Sequence, residues 1–324
     1  MKITVENFIT DELTNKVYIS NLLENCSGFE QKTAGADLKS EIESFCKNNE
    51  LLINTKDVWA RDYMPIQLTK EIYLSYTYSP DYLVKSPQYV TNWQMHKVHA
   101  NKSFNFLVVQ MPIILDGGNV VKAIVNNQPC MIMCKKVLRE NNVTEIAFRE
   151  WWKDWWKDNF SGTEMKLVLL PWEGEKDNPI GHADGMVRYI GNGKVLMTNY
   201  LDFDKKYNEA FGEIMKKTLE KAFGENNVEK LEYWDILKND AHFFDLFEES
   251  WCYINYLQIG NRILLPSLGY NLLDKEAARQ IGNAFNNKKH IDIIKVDMTS
   301  IVRNPKGNEN TGGALNCLTW TTME

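Results

Sequence analysis

The chain has 324 residues, 44% of them apolar, enough to bury a large core in one large domain or two ordinary ones. Its formal net charge is −6, with acids and bases interspersed and no long block of like charges. That pattern excludes a broad electropositive surface for nucleic acid and suits a small cationic partner.

In chain order, apolar residues recur at helical spacing over 10–24 and 35–48, which predicts an opening layer of surface helices and a helical portion over residues 1–50. From residue 51 onward, short apolar runs alternate with turn-rich segments: LLIN, IYLSYTY, FNFLVVQ, NVVKAIV, KLVLLP, VLMTNY, WCYINYLQI, RILLP and DIIKVDM. Their length and β-branched content predict strands. Helices are expected at 145–158, 207–223 and 274–286, the last with Asp274 as its N-cap. The alternation describes an α/β protein, and no internal repeat is evident.

Six cysteines, at 26, 46, 130, 134, 252 and 317, show neither a C-x-x-C pair nor the tight spacing of a disulfide framework, so reduced thiols are expected. The first residues are charged rather than apolar, and no segment approaches the ~18 uninterrupted apolar residues of a membrane span. The expected location is cytoplasmic.

Several residues could carry chemistry. Cys317 lies in NTGGALNCLTW, where two glycines permit a sharp turn, and a thiol so presented is either a nucleophile or a buried structural cysteine. In PIGHADGMVRYI, His182 and Asp184 share a face if the segment is extended, as an acid/base pair or a metal pair. No matching ligand set is visible, since His96 and His99 stand apart and Cys130 and Cys134 lack histidines nearby. Asp62, in DVWARDYMPI, stands between Trp59 and Pro65 and could simply pair with Arg61. Asp116 and Asn119 bracket two glycines in DGGN, which alone reads as a hairpin turn. The tryptophans of EWWKDWWKD make an aromatic helix face expected to pack on a sheet.

Taken in order, W-A-R-D-Y-M-P (59–65), D-G-G-N (116–119), G-H-A-D-G-M-V-R (181–188), S-W-C-Y-I-N-Y (250–256) and G-G-A-L-N-C-L-T (312–319) resemble the agmatine deiminase and bacterial peptidylarginine deiminase family. The resemblance runs from about residue 51 to the end of the sequence. It implies a single catalytic domain over 1–324, an α/β propeller of five ββαβ-type units with the site at its centre. It implies that Cys317 attacks a guanidinium carbon, that His182 protonates departing ammonia and then activates water, and that Asp62 and Asp184 grip the guanidinium nitrogens. Further substrate contacts are expected from Asp116, Asn119, Trp59 and Asp177. No metal or organic cofactor, nucleic acid or membrane is implied, and a homo-oligomer is left open. The chain has Met64, Asp116 and Asn316 where the family usually has Gly, Glu and His, and Pro179-Ile180 where a Thr and further acids are common.

The implied reaction is agmatine to N-carbamoylputrescine, a step toward putrescine, with free or peptide-bound arginine as the alternative substrate. A non-catalytic binding protein on the same propeller is the reading from a different class. It has no use for a thiol and an imidazole together. Upstream of His182, Glu173, Glu175 and Asp177 against Lys176 predict an acidic rim for a second cation.

Overall fold

A computed structural model describes residues 1–26, 29, 31, 33–91, 106–162, 164–174, 180–238, 243–285, 291–302 and 313–324. Asp177, with Glu175, Lys176 and Pro179, and the pair His96 and His99 lie outside the described residues.

Among the described residues, five three-stranded sheets repeat one hydrogen-bonding pattern. In each, a short strand pairs antiparallel with a central strand, which pairs parallel with a third. The sheets are Ile66–Gln67, Ile72–Thr77 and Leu107–Ile114; Val121–Val125, Gln128–Cys134 and Lys166–Leu170; Val187–Tyr189, Val195–Met197 and Val228–Lys230; and Leu257–Ile259, Arg262–Ser267 and Asp292–Asp297. The fifth joins the two ends of the chain: Thr319–Thr322 runs antiparallel to Lys16–Ser20, which runs parallel to Asn49–Leu52.

A parallel pair needs a crossover, and here the crossovers differ. One is the helix Ala34–Phe45, another the pair Lys136–Glu140 and Glu145–Asn159, another the pair Tyr200–Tyr207 and Phe211–Phe223, and another Asn271–Phe285. The crossover from Thr77 to Leu107 contains short 3-10 turns at Asp81–Leu83 and Pro87–Tyr89. Helices cover the sheets through apolar stripes, as with Leu38, Ile42 and Phe45, or Met215, Leu219 and Phe223. In the tryptophan-rich helix, Trp152 and Trp156 are buried, and Trp152 Nε1 donates to the carbonyl of Met165 at 2.9 Å, so its aromatic face packs on the sheet as expected.

Four expectations fail for physical reasons. Residues 10–24 are not a helix: two 3-10 turns, Asp11–Leu13 and Leu23–Asn25, flank the strand Lys16–Ser20, every residue of which is buried. As the central strand of its sheet it is buried along its whole length, and its apolar run Val17–Ile19 resembles part of a helical pattern in a short window. The run 251–259 is not one strand, because Ser250–Ile254 forms a 3-10 turn and only Leu257–Ile259 joins a sheet. Asp274 lies inside its helix, which begins at Asn271, and its carboxylate accepts from the Leu268 amide at 2.9 Å and from the hydroxyls of Ser267 and Tyr253 at 2.7 and 2.6 Å. The predicted helix 207–223 is also interrupted. Asn208 turns left-handed at φ 55°, and the Asp204 carboxylate accepts the first free amides of the following helix, from Gly212 at 2.9 Å and Glu213 at 2.8 Å.

Candidate active site

Each sheet is entered through a short turn that precedes its first strand. The turn Ala60–Tyr63 precedes Ile66, Gly117–Asn119 precedes Val121, Ala183–Gly185 precedes Val187, Ser250–Ile254 precedes Leu257, and the turn holding Cys317 precedes Thr319. These five turns bring Asp62, Asp116, His182 with Asp184, Asn255 and Cys317 together. All six side chains are buried.

His182 sits between two carboxylates. Its Nε2 lies 2.9 Å from Asp116 Oδ2, and its Nδ1 lies 3.6 Å from Asp62 Oδ1. The Asp116 bond fixes the ring and leaves Nδ1 on the side of Asp62. Tyr82 donates to the same Asp116 oxygen at 3.2 Å. Gly118 explains the second glycine of DGGN: its amide donates to Asp62 Oδ1 at 3.2 Å, and a Cβ there would stand 2.6 Å from both Asp62 Oδ1 and His182 Nδ1. That glycine permits a close approach of backbone to the histidine–carboxylate pair; the turn is not a hairpin.

The Cys317 thiol donates to Asp184 Oδ2 at 3.6 Å and to Asn255 Oδ1 at 3.4 Å. Asn255 Oδ1 also accepts the amides of Asn316 and Cys317 at 2.9 and 3.2 Å, and its Nδ2 donates to the Asp184 carbonyl at 3.3 Å. It thus ties the turn of the thiol to the turn of the H-x-D unit. Asp184 Oδ2 additionally accepts from Asn316 Nδ2 at 2.7 Å, whereas Asp184 Oδ1 is buried without a hydrogen-bond partner among the described residues. Asp116 Oδ1 is likewise without one. Buried carboxylate oxygens of this kind are strong acceptors awaiting a donor.

The proximity of these charges sets the protonation states. Burial, followed by the negative charges of Asp184 and Asp62, pushes the Cys317 thiol well above its usual range. Burial also drives the Asp62 carboxyl up to about 8, against the pull of His182. For His182, burial alone would depress the imidazole, but Asp62, the bond from Asp116 and the charge of Asp184 outweigh it and carry the group up to about 9. Near neutral pH the thiol of the unliganded site is therefore uncharged, and the facing groups His182 and Asp62 each hold a proton.

A cavity of about 320 Å³ opens onto Cys317, His182 and Asp184, and its outer wall includes Glu173, Glu248, Tyr200 and Trp251. Glu173 is the member of the predicted acidic rim that lies among the described residues, and Tyr200 donates to it at 3.3 Å. Glu248 had no signal in the sequence and stands 2.6 Å from Lys206 Nζ. Two expected substrate contacts have other engagements. Asn119 is bound on both sides to the backbone of Cys134, accepting its amide at 2.6 Å and donating to its carbonyl at 3.2 Å. The Trp59 ring packs against Gly313, where a Cβ would stand 2.4 Å from it. Asn255 and Tyr82 are site residues that sequence reasoning missed, and Asn316, noted there only as a departure from the family pattern, joins them. The S-W-C-Y-I-N-Y motif contained the first of them without marking it.

Comparison with known proteins identifies the family and the fold. A family profile described as Porphyromonas-type peptidyl-arginine deiminase matches residues 15–322. Among solved structures, agmatine deiminase of Enterococcus faecalis is 16% identical with a TM-score of 0.65, over 99% of this chain and 98% of that one. C. jejuni agmatine deiminase with substrate bound is 15% identical at TM-score 0.65, covering 98% and 96%. The N-terminal domain of a cyanobacterial arginine dihydrolase is 13% identical at TM-score 0.56, covering 95% and 97%. No curated protein sequence matches.

Proposed function

Because the chain belongs to the Porphyromonas-type peptidyl-arginine deiminase family, we propose that it is a cysteine-dependent iminohydrolase that converts a guanidino group into a ureido group and ammonia, with agmatine as its preferred substrate. The observation that carries this reading is the convergence of a thiol, an imidazole and three carboxylates, from turns remote in sequence, beside a cavity that Cys317, His182 and Asp184 line. A planar cation with forked N–H donors is the ligand such carboxylates recognise best.

In the proposed reaction Asp62 and Asp184 Oδ1 accept the guanidinium N–H groups. The bound positive charge drives the protons of Asp62 and of the Cys317 thiol out to solvent, so the thiolate forms beside the carbon it attacks. A C–S bond forms, and the tetrahedral adduct collapses as one C–N bond breaks. His182 gives its proton to the departing nitrogen, which leaves as ammonia. Neutral His182 then takes a proton from water, and the hydroxide adds to the same carbon of the thiouronium intermediate; C–S cleavage passes the new hydroxyl's proton to the leaving sulfur, which restores the thiol and releases the ureido product.

Agmatine is favoured over arginine by the cavity's outer wall, where the carboxylates Glu173 and Glu248 and the ring of Trp251 suit a terminal ammonium better than an added carboxylate. The rest of the proposal follows the fold. The five units close around a pseudo-fivefold axis as an α/β propeller, and 1–324 form one catalytic domain working in the cytoplasm. No helix among the described residues is long and apolar enough to cross a membrane.

The test is ureido-product formation from agmatine, free arginine, a peptidylarginine and simple alkylguanidines, with Cys317→Ala as control. Agmatine should give the highest kcat/KM, and Cys317→Ala should be inactive while keeping its unfolding midpoint. Turnover by the alanine variant would end the mechanism. Binding without turnover by the parent protein would favour a non-catalytic role.

A further inference from the structure

Among the buried polar residues of the site, Asn316 joins the turn of the nucleophile to the carboxylate assigned to the substrate, yet it does not line the cavity. Its Nδ2 donates to Asp184 Oδ2 at 2.7 Å, and its Oδ1 accepts from Arg61 Nη2 at 3.0 Å. We propose that Asn316, held by Arg61, is a positioning residue that turns Asp184 so that its Oδ1 faces the substrate cation. The inference rests on the deiminase reading and deepens it.

Hydrogen-bond bookkeeping supports this assignment. A guanidinium only donates and a carboxylate only accepts, so an amide between them has a single workable orientation, oxygen toward Arg61 and nitrogen toward Asp184. Rotating it would set donor against donor and acceptor against acceptor. The orientation is locked further from the backbone. The Asn316 amide donates to Asn255 Oδ1 and to the Asn255 carbonyl, each at 2.9 Å, and the Arg61 amide donates to the Cys317 carbonyl at 3.1 Å. With Oδ2 of Asp184 taken by Asn316 and by the Cys317 thiol, Oδ1 is the oxygen left without a partner. Arg61 adjoins Asp62 in the chain, so one link registers both carboxylates against the sulfur. An amide does not titrate, so the link holds across the working pH range.

A purely structural role predicts different behaviour, and alkylation of Cys317 separates the two without requiring turnover. 2-Chloroacetamidine carries a planar cation, whereas iodoacetamide is neutral. The ratio of their rates on Cys317 reads cation recognition by the carboxylates. The parent protein should prefer the amidine. Asn316→Ala should lower that preference ~10- to 100-fold, the usual worth of a hydrogen bond to a charged group. Arg61→Met should lower it in the same direction, and the double variant should lose no more than the worse single one, because both act through one link. Urea unfolding of each variant identifies any that fail to fold, and Arg61→Lys, which keeps the charge but not the fork, should show a partial loss. A preference kept in full by Asn316→Ala or Arg61→Met, with both rates merely scaled together, overturns the positioning role. A parent protein that shows no preference overturns the deiminase reading and this inference with it. A parent that shows the preference but forms no ureido product overturns the reaction alone, and Asn316 is then decided by the ratio.

Discussion

Asn255 offers the sharpest separation of stability from catalysis. Its Oδ1 accepts three donors: the amides of Asn316 and Cys317 and the Cys317 thiol, at 2.9, 3.2 and 3.4 Å. In Asn255→Ala the Asn316 amide keeps the Asn255 carbonyl, also at 2.9 Å, so the backbone N–H left with no partner is the buried amide of Cys317. An orphaned buried amide costs about 1–3 kcal/mol. The lost bond from Nδ2 to the Asp184 carbonyl, 3.3 Å, adds about 1 kcal/mol. The alanine variant should therefore lose about 2–4 kcal/mol in urea unfolding, along with most of its activity. Asn255→Asp keeps the acceptor and should keep most of the stability. Its carboxylate would stand about 3.4 Å from the sulfur, a repulsion of about 5 kcal/mol with a thiolate at an effective dielectric near 20. Turnover should then collapse, and Cys317 alkylation should require a higher pH. An Asn255→Asp variant with parental kcat/KM, or an Asn255→Ala variant with an unchanged unfolding midpoint, would refute this account of how the nucleophile is seated.

Replacing Asp62 or Asp184 by Asn should reduce kcat/KM by about 2–5 kcal/mol in transition-state terms, since either change leaves a shielded cation short of a carboxylate; near-parental steady-state values for both would place the guanidinium elsewhere. The unliganded protein should lose stability as pH rises. The unfolded chain releases the His182 proton near 6.5 while the folded protein keeps it to about 9, so the contribution is whole below 6.5 and gone above 9, about 3 kcal/mol in all. Urea midpoints measured across that window for the parent and His182→Gln test it, and an equally steep decline in the variant would assign the effect to other groups. At the far end of the cavity, Glu173→Gln and Glu248→Gln should each raise KM for agmatine with little change in kcat. The same substitutions should leave a short alkylguanidine unaffected, and raised salt should weaken agmatine binding to the parent.

Much of the site could be read from the sequence because its residues sit in short turns with their own signatures. Cys317, His182, Asp62, Asp184 and Asp116 were all visible there, and the structure brings them together. What could not be read depends on contacts across the chain. Asn255 acts on residues 61 and 62 positions away, and nothing in its immediate neighbourhood distinguishes it from a core amide. Gly118 looked like a turn former because the nearness of Asp62 and His182 exists only in three dimensions. The repeat was invisible for a related reason. It lies in strand pairing, whereas the crossovers vary from one helix at Ala34–Phe45 to two over Lys136–Asn159. The helix expected over 10–24 failed because the sheet that includes Lys16–Ser20 is completed by Thr319–Thr322, from the other end of the chain.

The electrostatics of the site bear on how one cycle starts and stops. Three carboxyl groups, Asp62, Asp116 and Asp184, are buried around one imidazole and one thiol, an arrangement whose self-repulsion holds a proton on Asp62 as well as on His182. In the reaction proposed above, a guanidinium entering beside Asp62 and Asp184 supplies the missing positive charge and displaces the Asp62 proton. On that proposal the same charge releases the thiol's proton to solvent, so recognition and activation would be one event. A neutral amide of similar shape brings no such charge and leaves the thiol protonated. Hydrolysis then reverses the balance, because the ureido product is neutral and its bonds to the carboxylates lose their charge assistance. The product is therefore held less tightly than the substrate by the very groups that selected it, and the next guanidinium displaces it by restoring the charge.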